Sequence, residues 1–153
     1  MKVFHSIGEL EHYVGREIGA SAWFTVNQET IDLFARATGD FQWVHVDGER
    51  AAREMPGGRT IAHGYLLLSL LPRLTAEIYR LDQDGPALNY GSNRIRFTQP
   101  VPAGGRIRLT LSLKAVEKGP SGVRLIMENT LTIEGNDRPA LVAETIVHFP
   151  AGS

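Results

Sequence analysis

Thr60-Ile61-Ala62-His63-Gly64-Tyr65-Leu66-Leu67-Leu68-Ser69-Leu70-Leu71 is the stretch on which the fold turns. With Leu74 and Ile78 it predicts a helix from Thr60 to about Arg80, apolar on nearly every side of its first half. A helix apolar all round has to be enclosed. Pro72 lies inside the pattern and lacks the N–H that would bond to Leu68, so a kink or break is expected near it. The enclosing material follows in the chain. Beyond Gly85-Pro86 the apolar period changes from 3.6 to 2. Ile107, Leu109, Leu111, Leu113 and Ala115 alternate with Arg106, Arg108, Thr110, Ser112 and Lys114, giving one buried and one wet face. Val123, Leu125, Met127, Leu131 and Ile133 form the next strand and residues 140–149 the last. The separators Gly119-Pro120-Ser121-Gly122 and Gly135-Asn136-Asp137 are short turns, so these strands pair as an antiparallel meander. Residues 88–98 precede them; their apolar phase slips between Tyr90 and Ile95, which marks Gly91 as a bulge. The expected class is α+β, an antiparallel sheet curved around a central apolar helix.

The N-terminal third opens helical. Ser6 and Glu9 have capping-box spacing before a short helix ending near Gly15. Trp23-Phe24-Thr25-Val26 is a short strand, after which Asn27 caps a helix with Ile31, Phe34, Ala35 and Thr38 on one face, closed by Gly39. Residues 40–46 are expected to be loop. Asp47 then caps a second short helix through Ala51 and Ala52.

At 153 residues the chain suits one domain spanning 1–153. Sixteen Lys and Arg against seventeen Asp and Glu give a net charge of −1, which argues against nucleic acid or an anionic membrane as partner. The absence of Cys excludes disulfides, thiolate metal sites and a cysteine nucleophile. The N-terminus lacks a secretory pattern and Tyr65–Leu71 is too short to span a bilayer, so a cytoplasmic protein is expected.

Two constellations could carry chemistry. In Thr38-Gly39-Asp40-Phe41-Gln42-Trp43-Val44-His45-Val46-Asp47 a carboxylate lies just past a helix C-terminus, where the dipole disfavours it, and an imidazole follows five residues later. His45 titrates near neutrality and can take a proton from water, with Asp40 holding the ring or the water. Spacing alone leaves an ordinary loop Asp and loop His equally open. Gly57-Gly58-Arg59-Thr60-Ile61-Ala62-His63-Gly64 is a Gly-rich turn feeding the central helix, whose free N–H groups suit a carbonyl oxygen or an anion. His63 is better explained as a core histidine at the helix entrance than as a metal ligand, and no metal is expected from Asp40, His45 and His63. Asn89, Tyr90, Asn93, Arg94 and Arg96 are expected on a wet sheet face, with phosphate pairing as the alternative for the arginines. No G-x-S-x-G elbow, P-loop or dinucleotide fingerprint is present.

Taken in order, Gly39 to Asp47, then Ile61-Ala62-His63-Gly64 at a helix entrance, then a β-meander resemble the MaoC-like dehydratases, which include the (R)-specific enoyl-CoA hydratases. Gln42-Trp43, Thr60 to Leu71 and Asn89 to Phe97 resemble the branch named for nodulation protein N. The resemblance implies a hot dog fold, a homodimer, and reversible addition of water to a trans-2-enoyl-CoA giving an (R)-3-hydroxyacyl-CoA. It implies no cofactor, coenzyme A being part of the substrate. Asp40 and His45 match the catalytic pair, and Gly64 matches the glycine whose N–H binds the thioester oxygen. His63 matches a motif position without an assigned chemical step and joins Trp43, Tyr90 and Asn93 among the expected substrate-binding residues. Phe41 and Gln42-Trp43 stand where many hydratases have Asn-Pro, so Trp43 is expected to narrow the pocket. Gly48 stands where proline often follows the aspartate. Met55 to Arg59 departs from the usual aromatic-glycine phrase, and Arg59 is expected to be a surface charge rather than a coenzyme A contact. A thioesterase on the same fold and a non-catalytic acyl-CoA or acyl-carrier binding module are the competing readings.

Overall fold

The computed structural model describes residues 1–82 and 85–151; residues 83–84 and 152–153 of the expected 1–153 domain lie outside the described residues. In chain order the elements are β1 (Lys2–Phe4), α1 (Ile7–Glu11), β2 (Arg16–Ala20), β3 (Phe24–Val26), α2 (Gln28–Thr38), α3 (Trp43–Val46), α4 (Gly48–Glu54), a short 3₁₀ turn (Pro56–Gly58), α5 (Gly64–Ser69), α6 (Leu71–Ile78), β4 (Tyr79–Leu81), β5 (Leu88–Phe97), β6 (Gly105–Gly119), β7 (Gly122–Ile133) and β8 (Pro139–Pro150).

The main sheet runs β2-β6-β7-β8-β5, with β3 continuing alongside β6 beyond β2, and every pairing in it is antiparallel. The alternation in β6 and β7 sets the packing. Leu109, Leu111, Leu113, Leu125, Met127 and Leu131 are fully buried on one face, with Leu67, Leu71, Leu74 and Ile78 of α5 and α6 in the same core. Each such side chain contributes about 1.5–3 kcal/mol by leaving water. The β6–β7 turn requires its second glycine: Gly122 has φ +126°, and a Cβ there would overlap the Phe149 carbonyl oxygen.

The expected single helix from Thr60 is corrected in three places. Residues 60–62 are extended, because the Ile61 N–H bonds to the Val44 carbonyl, Ala62 N–H to Val101, and the Thr60 carbonyl accepts from Ala103 N–H. Helix begins only at Gly64. The break near Pro72 falls at Leu70, which ends α5 and opens α6. The helix also stops at Ile78, since Tyr79 to Leu81 pair in parallel with Lys2 to Phe4. Nor is α5 enclosed on all sides within this chain: Tyr65 is 68% exposed. The strands β1, β2 and β4 are additions that periodicity could not find, each being short and carrying no sustained alternation.

The caps elsewhere behave as read, although α1 stops at Glu11 rather than near Gly15. Asn27 accepts from Thr30 N–H at 2.9 Å, Gly39 closes α2 at φ +78°, and Asp47 accepts from Arg50 N–H at 2.9 Å. Ser6 accepts from Glu9 N–H, and Glu9 returns a bond to His5 N–H. In β5 the bulge expected at Gly91 falls beside it instead: Gly91 pairs with Ile146, and the register shifts leave Tyr90 and Asn93 as the extra residues.

Candidate active site

α2 ends at Gly39, and its left-handed turn sends the chain back past the start of α5. The segment expected as loop over 40–46 instead winds one helical turn, α3, which points His45 inward where it is 8% exposed. Its Nδ1 lies 2.7 Å from the Ile61 carbonyl oxygen. A carbonyl only accepts, so Nδ1 carries the proton and Nε2 keeps its lone pair. His63, the N-cap of α5, applies the same logic in reverse. Its Nε2 donates to the Asp40 backbone carbonyl at 2.9 Å, and its buried Nδ1 has no partner among the described residues. The two imidazoles stack with centroids 3.8 Å apart, and the Phe34 ring packs against His63 with centroids 5.0 Å apart.

Desolvation holds the His45 imidazole below its ordinary pKa near 6.5. The hydrogen bond to Ile61 and the Asp40 charge oppose that shift, and His63 adds to it. Asp40 stays exposed, its Oδ1 accepting from Gln42 N–H at 3.3 Å. Ligand atoms of Asp40, His45 and His63 lie within 4.8 Å of one another. The ring planes are inclined by only 27° and stacked, so their in-plane lone pairs do not meet within the ~2 Å reach of a nitrogen–metal bond. The cluster fits proton transfer better than a shared ion.

His45 and Gly64 open on one cavity of about 300 Å³, walled by Leu67, Phe97 and Thr98. As the first residue of α5, Gly64 has an N–H without an intrahelical partner. A Cβ at Gly64 would meet the Phe97 ring at 3.0 Å, so only glycine leaves this wall undisturbed.

The remaining expected residues stand apart from this cavity. Trp43 lines neither this cavity nor a second, larger one; it lies half-buried beneath the Arg50 guanidinium, 4.0 Å away, which removes the basis for expecting it to narrow the pocket. Tyr90 is exposed under Arg124 at 4.1 Å, and Asn93 donates to Glu144 at 2.6 Å on the outer surface. Arg59 is exposed, with Nη1 on the Ala103 carbonyl at 3.3 Å.

Gln28 is a residue that motif reasoning missed. From the first position of α2 its Nε2 donates to the His45 carbonyl and to Asp32, each at 2.8 Å, while its Oε1 accepts from the buried Thr60 hydroxyl. One amide thus ties the turn carrying His45 to the segment leading into Gly64. The only sequence signal was an amide beside the Asn27 cap, indistinguishable from a surface Gln. Gln28→Leu strands the Thr60 hydroxyl, which costs about 1–3 kcal/mol. The expected outcome is a lower melting temperature with a kcat loss exceeding the KM change, and it is checked by thermal melts alongside steady-state rates.

Comparison with known proteins places these features in a family. The MaoC-like domain model matches residues 9–134. The 3-hydroxyacyl-thioester dehydratase Z of Mycobacterium tuberculosis is 47% identical over 152 residues, covering 99% of this chain and all of that protein. Nodulation protein N of Rhizobium leguminosarum bv. viciae is 44% identical over 148 residues, covering 94% of this chain and 92% of its own length. Among solved structures, the unliganded R-hydratase PhaJ1 of Pseudomonas aeruginosa superposes with a TM-score of 0.68 at 26% identity, over 88% of this chain and 82% of that one. The curved antiparallel sheet with its central helix is the hot dog fold those neighbours share. A helix-entrance histidine and glycine, a stacked imidazole and a nearby carboxylate are therefore set in a chain that belongs to the MaoC-like dehydratase family.

Proposed function

We propose that the protein is a hydro-lyase that reversibly hydrates trans-2-enoyl-CoA to (R)-3-hydroxyacyl-CoA in the cytoplasm, through Asp40, His45 and the Gly64 N–H. The observation that carries this reading is that His45, whose Nδ1 is held by the Ile61 carbonyl, and Gly64, at the first position of α5, line the same cavity, with the Asp40 carboxylate close to the imidazole. The thioester carbonyl of the substrate lies against Gly64 N–H, which stabilises the negative charge that develops on its oxygen. That charge makes the β-carbon electrophilic. A water held between His45 and Asp40 loses a proton to the pair and attacks the β-carbon, and the pair supplies one proton to the α-carbon, so no external acid or base is consumed. The N–H polarises from one side while the base delivers water from one face, which is why a single enantiomer forms.

Burial is what poises His45. Because its pKa is lowered, the ring is neutral at pH 7 and Nε2 is available as a base. The acid limb of kcat/KM is expected below pH 6.5, and a rate already falling above that value would contradict it. Stability has the same sign. Below pH 6.5 the unfolded chain binds the proton more readily than the folded one, so stability present above 6.5 is lost as pH falls toward the folded value. Urea midpoints across pH 5–8 check this, with His45→Gln flattening the dependence.

The working assembly in this reading is a homodimer. β5 ends the sheet, its outer edge is unpaired among the described residues, and Leu88, Tyr90 and Phe97 are exposed along it. Natural proteins rarely leave such an edge open. Tyr90 and Asn93 then fall at or near the subunit boundary. The testing experiment is hydration of crotonyl-CoA with chiral analysis of the product. An (R) product supports the assignment; release of free thiol instead identifies a thioesterase, and tight binding without turnover identifies a carrier module.

A further inference from the structure

The larger cavity, of about 680 Å³, lies between α5–α6 and the inner faces of β5, β7 and β8. Most of its wall is apolar, Leu68 and Leu71 on the helices among it. Its sheet side is not. The alternation of Leu125, Met127, Leu131 and Ile133 puts position 129 on the inner face, and the residue there is Asn129, only 2% exposed. Its Nδ2 donates to Thr145 Oγ1 at 2.9 Å and faces the carbonyl oxygens of Met127 and Ala143 at 3.3 Å. Those two carbonyls decide which end of the amide is nitrogen. Asn129 Oδ1 is therefore left with no hydrogen-bond partner among the described residues, on a side chain that lines the cavity. Thr145 Oγ1 accepts from Asn129, so its own O–H remains a donor, with no acceptor among the described residues.

A buried amide in an otherwise leucine-rich row weakens a core unless it is hydrogen-bonded. Here an unused acceptor and an unused donor sit side by side. That pair is complementary to one hydroxyl group, which donates to Asn129 Oδ1 and accepts from Thr145. Leu68 follows Gly64 by about 6 Å along α5 at 1.5 Å per residue, and Leu67 beside it lines the smaller cavity that Gly64 borders. An acyl chain whose thioester sits at Gly64 has to pass Leu67 and Leu68 to enter this cavity, and a chain of about six to ten carbons covers that distance.

We propose that Asn129 and Thr145 select enoyl thioesters whose acyl chain carries a hydroxyl group, held in the cavity between α5–α6 and the sheet. This rests on the acyl-thioester reading of the Gly64 site and adds the substrate class to it.

The test compares kcat/KM for ω-hydroxy and unsubstituted trans-2-enoyl-CoA of equal length, from about six to ten carbons, in wild type and in Asn129→Leu, Thr145→Val and Thr145→Ser. The ratio is taken within each variant, so general losses cancel. Wild type is expected to favour the hydroxylated substrate by about tenfold at one length. Asn129→Leu and Thr145→Val are expected to abolish or invert that ratio, and Thr145→Ser to keep it. Should Asn129→Leu not fold, the Thr145 pair decides alone. A wild-type preference for the unsubstituted chain at every length, or a ratio unchanged in all variants, overturns the proposal. Crotonyl-CoA hydration in the same preparation separates the two levels: turnover with no hydroxyl preference overturns this proposal alone, whereas no hydration of any thioester overturns the catalytic reading as well.

Discussion

Asp40→Asn and His45→Gln are each expected to lower kcat for crotonyl-CoA hydration by about 10²- to 10⁴-fold, the range lost with a positioned acid or base. Both changes are close in shape, which is what gives them meaning. In Asp40→Asn the side-chain amide keeps an oxygen for the Gln42 N–H, so the turn after Gly39 survives while the carboxylate charge beside His45 is gone. In His45→Gln the new amide keeps a donor for the Ile61 carbonyl but has no lone-pair nitrogen to accept a proton. The hydrogen bonds to Gln42 N–H and the Ile61 carbonyl are kept, so circular dichroism and KM are expected to hold while kcat falls. Because the two groups serve one water, the double variant is expected to be little worse than the weaker single one. Rates like wild type in both single variants remove Asp40 and His45 from the chemistry.

The second large effect is expected at Gly64. Proline is tolerated at the first position of a helix, where its missing N–H breaks no helical bond, so Gly64→Pro deletes the proposed polarising donor while sparing α5. Removing one such donor costs about 10²–10³ in kcat. Any side chain here also presses on Phe97 at 3.0 Å, which confounds the single variant. Placing the change in a Phe97→Ala background relieves that contact. Gly64→Ala with Phe97→Ala retains the N–H, and Gly64→Pro with Phe97→Ala does not. The gap in kcat between these two double variants isolates the amide, and equal rates in the two would show that the thioester oxygen is bound elsewhere.

Legibility in the sequence followed from how local each cause is. Asn27, Gly39 and Asp47 act on backbone groups within a turn of themselves, and all three cap as their residue types require. The strands β6 and β7 declare themselves because one face is wet and the other dry for a dozen residues. The helix boundary at Gly64 was not legible. Residues 60–62 have helical composition, but Val44, Val101 and Ala103, far away in sequence, take their backbone hydrogen bonds. Gln28 was invisible for the same reason: the two partners through which it ties the site together, His45 and Thr60, are 17 and 32 residues away.

The sequence by itself determined the apolar pattern of the central helix, the meander beyond Gly85, the break near Pro72 and the two short motifs bearing Asp40, His45 and Gly64, since periodicity, proline and side-chain chemistry are properties of neighbouring residues. Only the tertiary structure decided that His45 gives Nδ1 to Ile61 and lines a cavity shared with Gly64, that His63 lies against its ring while holding the Asp40 carbonyl, that Trp43 stays outside, and that Asn129 lines the second cavity. Tautomer, burial and hydrogen-bond partner are set by groups that meet only when distant segments close on one another, and no local pattern of residues encodes which carbonyl an imidazole will find.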